Sequence, residues 1–112
     1  MSNFYAELAA VAAQHADRDC LRLPDGTAWR YADMTQAVDQ LACVLLDKGV
    51  SAGERVVVQV DKSPHNLALY LATLKVGGVY VPLNTAYTAA ELDYFLGDAE
   101  PQLFVGRRDT LV

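Results

Sequence analysis

The chain has 112 residues, 53% of them apolar and 21% charged, with a formal net charge of -5. That is material for one domain or part of one, too apolar for a disordered tail. The acidic balance excludes nucleic acid as a general partner, because phosphate backbones demand a basic patch, though a small anion could still be held by local N–H groups.

No apolar run approaches the roughly 18 residues of a membrane span, so a membrane is not expected as a partner. The first residues lack a basic stretch followed by an apolar one, and the opening Met-Ser-Asn reads as a cytoplasmic start. Cys20 and Cys43 fit no metal-ligand spacing and are expected to be reduced, in or near the core.

In chain order, residues 3–15 form an amphipathic helix with Phe4, Leu8, Val11 and Ala12 as its apolar stripe and Ser2 or Asn3 as its cap. His15, near its C-terminus, reads as structural. Residues 20–23 and 27–31 read as two short strands around Pro24-Asp25-Gly26, which is turn chemistry, so together they make a hairpin. Trp29 is assigned to packing. Residues 33–48 are the clearest helix. Met34, Val38, Leu41 and Leu45, with Ala37, Ala42 and Leu46, form its broad apolar face, and Gly49 is placed to end it.

After a connection at 50–54 comes the stretch on which the chain is organised, RVVVQVDKSPHNLALYLATLKVGGVYVPL at 55–83. Its β-branched run at 55–60 is a strand. Ser63 caps a helix and Pro64 suits the first helical position. Leu67, Leu71 and Leu74, with Ala68 and Ala72, recur at helical spacing, and Gly77-Gly78 end the helix. Residues 79–83 form a second strand, so the unit is βαβ, which requires parallel pairing. Thr88 and Glu91 are spaced as a capping box for a helix at 89–97 that carries Leu92, Phe95 and Leu96 inward. Residues 102–105 form a third strand. The fold class is therefore α/β: a β-hairpin plus a βαβαβ parallel-sheet core with flanking helices, one segment spanning residues 1–112.

Little chemistry is visible. There is no GxGxxG and no GxxxxGK[ST], and Gly77-Gly78 follow a helix instead of opening one. No Ser/His/acid or Cys/His set is discernible, and His65 reads as a solvated residue of the central helix. Ligands of open α/β sheets bind beyond the C-terminal ends of the strands. Asp61 and Lys62 after the first parallel strand, and Asn84, Thr85 and Tyr87 after the second, are the candidates on geometry. Plain turn and cap roles are the competing reading.

The run LKVGGVYVPLN at 74–84 resembles a recurrent core motif of the adenylate-forming superfamily, which includes acyl-CoA synthetases, luciferases and peptide-synthetase adenylation domains. The wider run at 69–105 is similar to malonyl-CoA synthetases in particular. Tyr31-Ala32-Asp33-Met34 resembles the superfamily's earlier Tyr-x-Glu-Leu motif with Asp and Met as departures, and Arg30 stands where Ser or Thr is usual. The resemblance covers nearly the whole chain but only the start of those enzymes, so the fold it implies is the N-terminal part of their large domain. It implies an intact enzyme that uses ATP, Mg²⁺ and CoA. It also implies that the phosphate-binding Pro-Lys-Gly loop, the aromatic-Thr-Glu motif, the ribose-binding Asp, the Arg after it and the adenylating Lys lie downstream. None of these occurs here, so no catalytic, cofactor-binding or metal residue is carried over, and the segment alone is expected to bind no cofactor. The remainder of the synthetase is the expected partner, and the isolated segment is expected to dimerise, swap elements or aggregate. The apolar finish Leu111-Val112 reads as a truncation. The alternative is a free-standing α/β interaction or assembly module.

Overall fold

A computed structural model describes residues 3–61 and 63–106, without the side chains of Asn3, Phe4 and Ala99. Four helices and five strands follow in the order α1 Asn3–Gln14, β1 Asp19–Arg22, β2 Ala28–Arg30, α2 Tyr31–Asp47, β3 Arg55–Gln59, α3 Pro64–Lys75, β4 Val79–Pro82, α4 Ala89–Ala99 and β5 Leu103–Gly106. The hairpin β1–β2 is antiparallel, and the second sheet is parallel with strand order β4-β3-β5. The βαβαβ reading is thus correct, with the first strand in the middle.

Because β3 leads to β4 on one side and β4 returns across it to β5, right-handed crossovers place α3 and α4 on opposite faces. The burial agrees. Val56 and Val58 join one core with Met34, Val38, Ala42 and Leu45 of α2 and Ala68, Leu69 and Ala72 of α3. Val57 points the other way and is equally buried, and Leu92 of α4 is buried with it. Register sets Val81 and Phe104 beside Val57 on that second face. Covering both faces is what a parallel sheet requires.

The N-terminal edge of the sheet is tied by two helix ends built alike. Gly49 takes φ +87° and Gly77 φ +82°. The N–H of Gly49 donates to Leu46 and that of Val50 to Leu45, while Gly77 donates to Leu74 and Gly78 to Thr73. These are paired Schellman closures, which satisfy the last carbonyls of α2 and α3. Gly53 then donates to the carbonyl of Gly77 at 2.9 Å, and Val79 to Glu54 at 2.8 Å, which sets β4 beside β3.

Several expectations need correction. In α1 two residues of the expected stripe are turned outward: Val11 is 54% exposed and Leu8 is exposed, while Ala12 is half-buried as expected. Tyr5, Ala9 and Ala12 are the half-buried positions, and Tyr5 lies under the Lys75 ammonium at 5.8 Å. Small residues let α1 approach α2 and α3 where leucine could not. The Phe4 side chain, Ser2 and the Leu111-Val112 finish lie outside the described residues. α2 begins at Tyr31, two residues early, so Tyr31 is helical and not the end of a strand. Asp33 Oδ2 accepts the N–H of Arg30 at 2.9 Å, and Arg30 cannot return the bond as Ser or Thr would. Leu46 is 59% exposed and Cys43 is exposed, so neither is core.

Gly78 and Gly97 make opposite predictions. A Cβ on Gly78 would lie 3.2 Å from Thr73 Cγ2 and Val50 Cγ1 and 3.3 Å from the Glu54 carbonyl, whereas Gly97, inside α4, has open space around it. Gly78→Ala is expected to cost about 1–3 kcal/mol through crowding. Gly97→Ala is expected to gain about 0.5–1 kcal/mol through lower unfolded-state entropy. Thermal unfolding of the two variants checks both signs.

Candidate functional site

The C-terminal edge of the parallel sheet is built from the ends of three strands. β3 closes on Gln59 and passes through Val60 and Asp61 to α3, whose cap is Ser63: its Oγ accepts the Asn66 N–H at 3.0 Å. β4 closes on Pro82, and the loop after it is tightly bonded. The Leu83 N–H donates to Val58 at 2.8 Å. Asn84 Oδ1 accepts the Ala86 N–H at 2.8 Å, an Asx turn. The Asn84 carbonyl accepts both the Tyr87 N–H at 3.1 Å and Gln59 Nε2 at 3.0 Å. The Tyr87 ring stacks on Phe95 of α4, centroids 4.9 Å apart and planes 13° off parallel.

Thr88 and Glu91 close the capping box of α4. Thr88 Oγ1 accepts the Glu91 N–H at 3.2 Å, and Glu91 Oε1 accepts the Thr88 N–H at 3.0 Å. The bonds from Thr88 hold the Glu91 carboxyl below the usual range. Asn84 and Tyr87 therefore have turn and packing duties. Asp61 is exposed beyond β3, Thr85 is half-buried, and Lys62 lies outside the described residues. The edge brings the loops after β3 and β4 together.

A second feature lies on the α2–α3 face. The hairpin, α2, the first turn of α3 and β5 enclose a groove of roughly 960 Å³. Its floor is Leu41, Leu45, Leu69, Leu103 and Val105, and Trp29 forms a wall. His65 stands edge-on to the Trp29 ring at 5.0 Å, so its partner is an indole, which cannot orient a general base. Among the described residues no three of His, Cys, Asp and Glu gather where a metal ion could sit. Cys20 and Cys43 are free thiols, and burial pushes that of Cys20 up. Among the described residues no helix is long and apolar enough to cross a membrane.

Sequence reasoning missed the groove, because its walls come from segments far apart in the chain. It also passed over Gln59, a buried polar residue in an apolar strand. The signal was there: Gln59 is the one polar side chain inside the run VVVQV.

A small parallel sheet covered on both faces, with its loops gathered at the C-terminal edge, defines an α/β scaffold segment. Residues 8–111 match the AMP-binding enzyme family, and the chain belongs to that family. It is 32% identical to the acyl-CoA ligase sidI of Aspergillus fumigatus over 86% of this chain and 16% of that protein. Tyrocidine synthase 1 of Brevibacillus parabrevis is 35% identical over 70% of this chain and 7% of that protein. Among solved structures, apo MatB from Rhodopseudomonas palustris superimposes with a TM-score of 0.85 at 41% identity, over 92% of this chain and 20% of that one. A benzoate CoA ligase from Burkholderia xenovorans LB400 shares the fold at a TM-score of 0.88 and 22% identity, over 97% of this chain and 22% of that one. The chain thus matches a segment of acyl-CoA ligases and spans about a fifth or less of the length of these relatives.

The capping box carries a pH prediction. Because the folded Glu91 carboxyl titrates below its unfolded value, its contribution is present above the ordinary glutamate range and is lost as pH falls through the lowered folded value. The protection factor of the Thr88 amide against hydrogen exchange should fall on acidification in the wild type. It should stay flat with pH in Glu91→Gln, whose amide oxygen accepts the same bond without titrating.

Proposed function

We propose that residues 1–112 are the N-terminal segment of an ATP-dependent acyl-CoA synthetase acting on malonate, which converts malonate, ATP and CoA to malonyl-CoA, AMP and pyrophosphate. In that reaction a carboxylate oxygen of malonate attacks the α-phosphorus of ATP and expels pyrophosphate, and the CoA thiol then displaces AMP from the acyl-adenylate. The observation that carries the reading is the family match over 8–111 in a chain that spans so little of its acyl-CoA ligase relatives. The malonate assignment is supported by the likeness of residues 69–105 to malonyl-CoA synthetases. One solved relative, MatB from Rhodopseudomonas palustris, is known with ATP bound.

In this reading the segment is scaffold. ATP, Mg²⁺ and CoA are held by the remainder of the polypeptide, as the resemblance to adenylate-forming enzymes implies. That remainder is the partner of the apolar groove and of the outer edge of β5, which among the described strands pairs on one side only. Left alone, the segment pairs those same surfaces with a second copy. The open edge and groove also favour a second reading, a free-standing assembly module without catalysis.

The test is AMP formation by the whole natural gene product and by the 112-residue chain, each with ATP, Mg²⁺, CoA and malonate. Malonate-dependent AMP is expected from the whole product and none from the segment. AMP made by the segment alone overturns the scaffold role, and a natural product of only 112 residues favours the module.

A further inference from the structure

The two faces of the parallel sheet are covered unequally. α2 and α3 each bury four of their residues on one face. On the other face, among the described side chains of α4, Leu92 alone is buried, and Tyr94 is 71% exposed. Gly97 lies inside α4 with open space around it, where its backbone freedom weakens the helix. An element with little buried apolar surface opens before the core does.

The loop after β4 and α4 hold each other. The Tyr87 ring stacks on Phe95, and Thr88 and Glu91 exchange both bonds of the capping box. Asn84 closes the turn between them by accepting the N–H groups of Ala86 and Tyr87. A side chain of the sheet fastens this body at one end: Gln59 Nε2, at the end of β3, donates to the Asn84 carbonyl at 3.0 Å. At the other end α4 stops on Glu100, whose φ of +47° lies in the left-handed region that a residue with a Cβ rarely takes. Pro101 follows, and a proline pushes the residue before it toward extended backbone. Such strain persists where the surrounding structure enforces it, here the seated helix. Beyond the strained residue the chain is anchored again, because the Gln102 N–H donates to the Arg55 carbonyl at 2.8 Å.

We propose that the Asn84 loop and α4 form a flap that opens from the sheet as one body, latched by the Gln59 amide and hinged at Glu100-Pro101. Opening relaxes Glu100 toward extended backbone and breaks one side-chain bond to the sheet, while the stack, the turn and the capping box travel with the flap. It uncovers Val57, with Val81 and Phe104 beside it in register, and leaves the α2–α3 face undisturbed. The flap is thus a conformational device on the side of the sheet opposite the groove, and it does not depend on which acid the enzyme activates.

The test is hydrogen–deuterium exchange by mass spectrometry on the whole natural gene product and two variants. In the wild type the α4 amides should exchange together, about tenfold or more faster than those of α2 and α3. Gln59→Met keeps the length of the side chain and removes the latch donor. It should speed α4 exchange about fivefold and leave α2 and α3 within about twofold of the wild type. Glu100→Gly removes the strain of the closed hinge and should slow α4 exchange about fivefold. Because this variant stabilises the closed state, it remains informative if Gln59→Met fails to fold. Exchange of α4 at the rate of α2 and α3, an equal acceleration of all three helices by Gln59→Met, or no slowing by Glu100→Gly overturns the proposal.

Discussion

The burial of β3 on both faces is the constraint that the rest of the fold serves. Val56, Val57 and Val58 are each almost fully removed from water, although they alternate between the α2–α3 face and the α4 face. A strand in that situation must be apolar at its centre, must have hydrogen-bonded neighbours on both sides and must have helices above and below. The chain meets each demand in turn: β4 and β5 flank it, α3 and α2 cover one face, and α4 the other. Burying three valines removes about 1.5–3 kcal/mol worth of exposure per side chain.

What could be read from the sequence was the part decided by neighbours along the chain. Gly49, Gly77 and the Thr88/Glu91 box mark helix ends through local backbone geometry, and the structure places them as read. The β-branched run at 55–60 needed no partner to be recognised. What escaped was decided by the third dimension. Helical periodicity gave α1 an apolar stripe of Phe4, Leu8, Val11 and Ala12, of which Ala12 does turn inward, whereas Leu8 and Val11 face solvent and Tyr5 and Ala9 take the half-buried positions. Leu46 extended a real apolar pattern past the edge of its contact. The groove depends on Trp29, Leu41 and Val105 meeting across much of the chain, which no local window contains. Asp61, Asn84, Thr85 and Tyr87 were placed at the correct edge of the sheet by topology alone, but only the structure shows Asn84 and Tyr87 engaged in holding their own loop.

The two edges of the sheet are built on different plans. The N-terminal edge is closed by glycines, paired helix ends and backbone bonds, and Gln102 Nε2 adds a further tie to the Lys48 carbonyl at 3.3 Å. The C-terminal edge is made of side-chain contacts: an Asx turn, an aromatic stack and one buried amide. Backbone closures tolerate little change of sequence shape, whereas side-chain contacts can be rewritten residue by residue. A scaffold arranged this way lets one end vary while the other preserves the fold.

The contact between Trp29 and His65 joins two parts of the chain that share no sheet. Trp29 belongs to the hairpin and His65 to the first turn of α3, and the ring centroids lie 5.0 Å apart. The chain holds one tryptophan. Its emission therefore reports a joint: it senses whether the hairpin is seated against the core that α2, α3 and the parallel sheet share. A fluorescence transition in this protein times the undocking of the hairpin, so agreement or disagreement with circular dichroism separates a one-step collapse from a hairpin that leaves first.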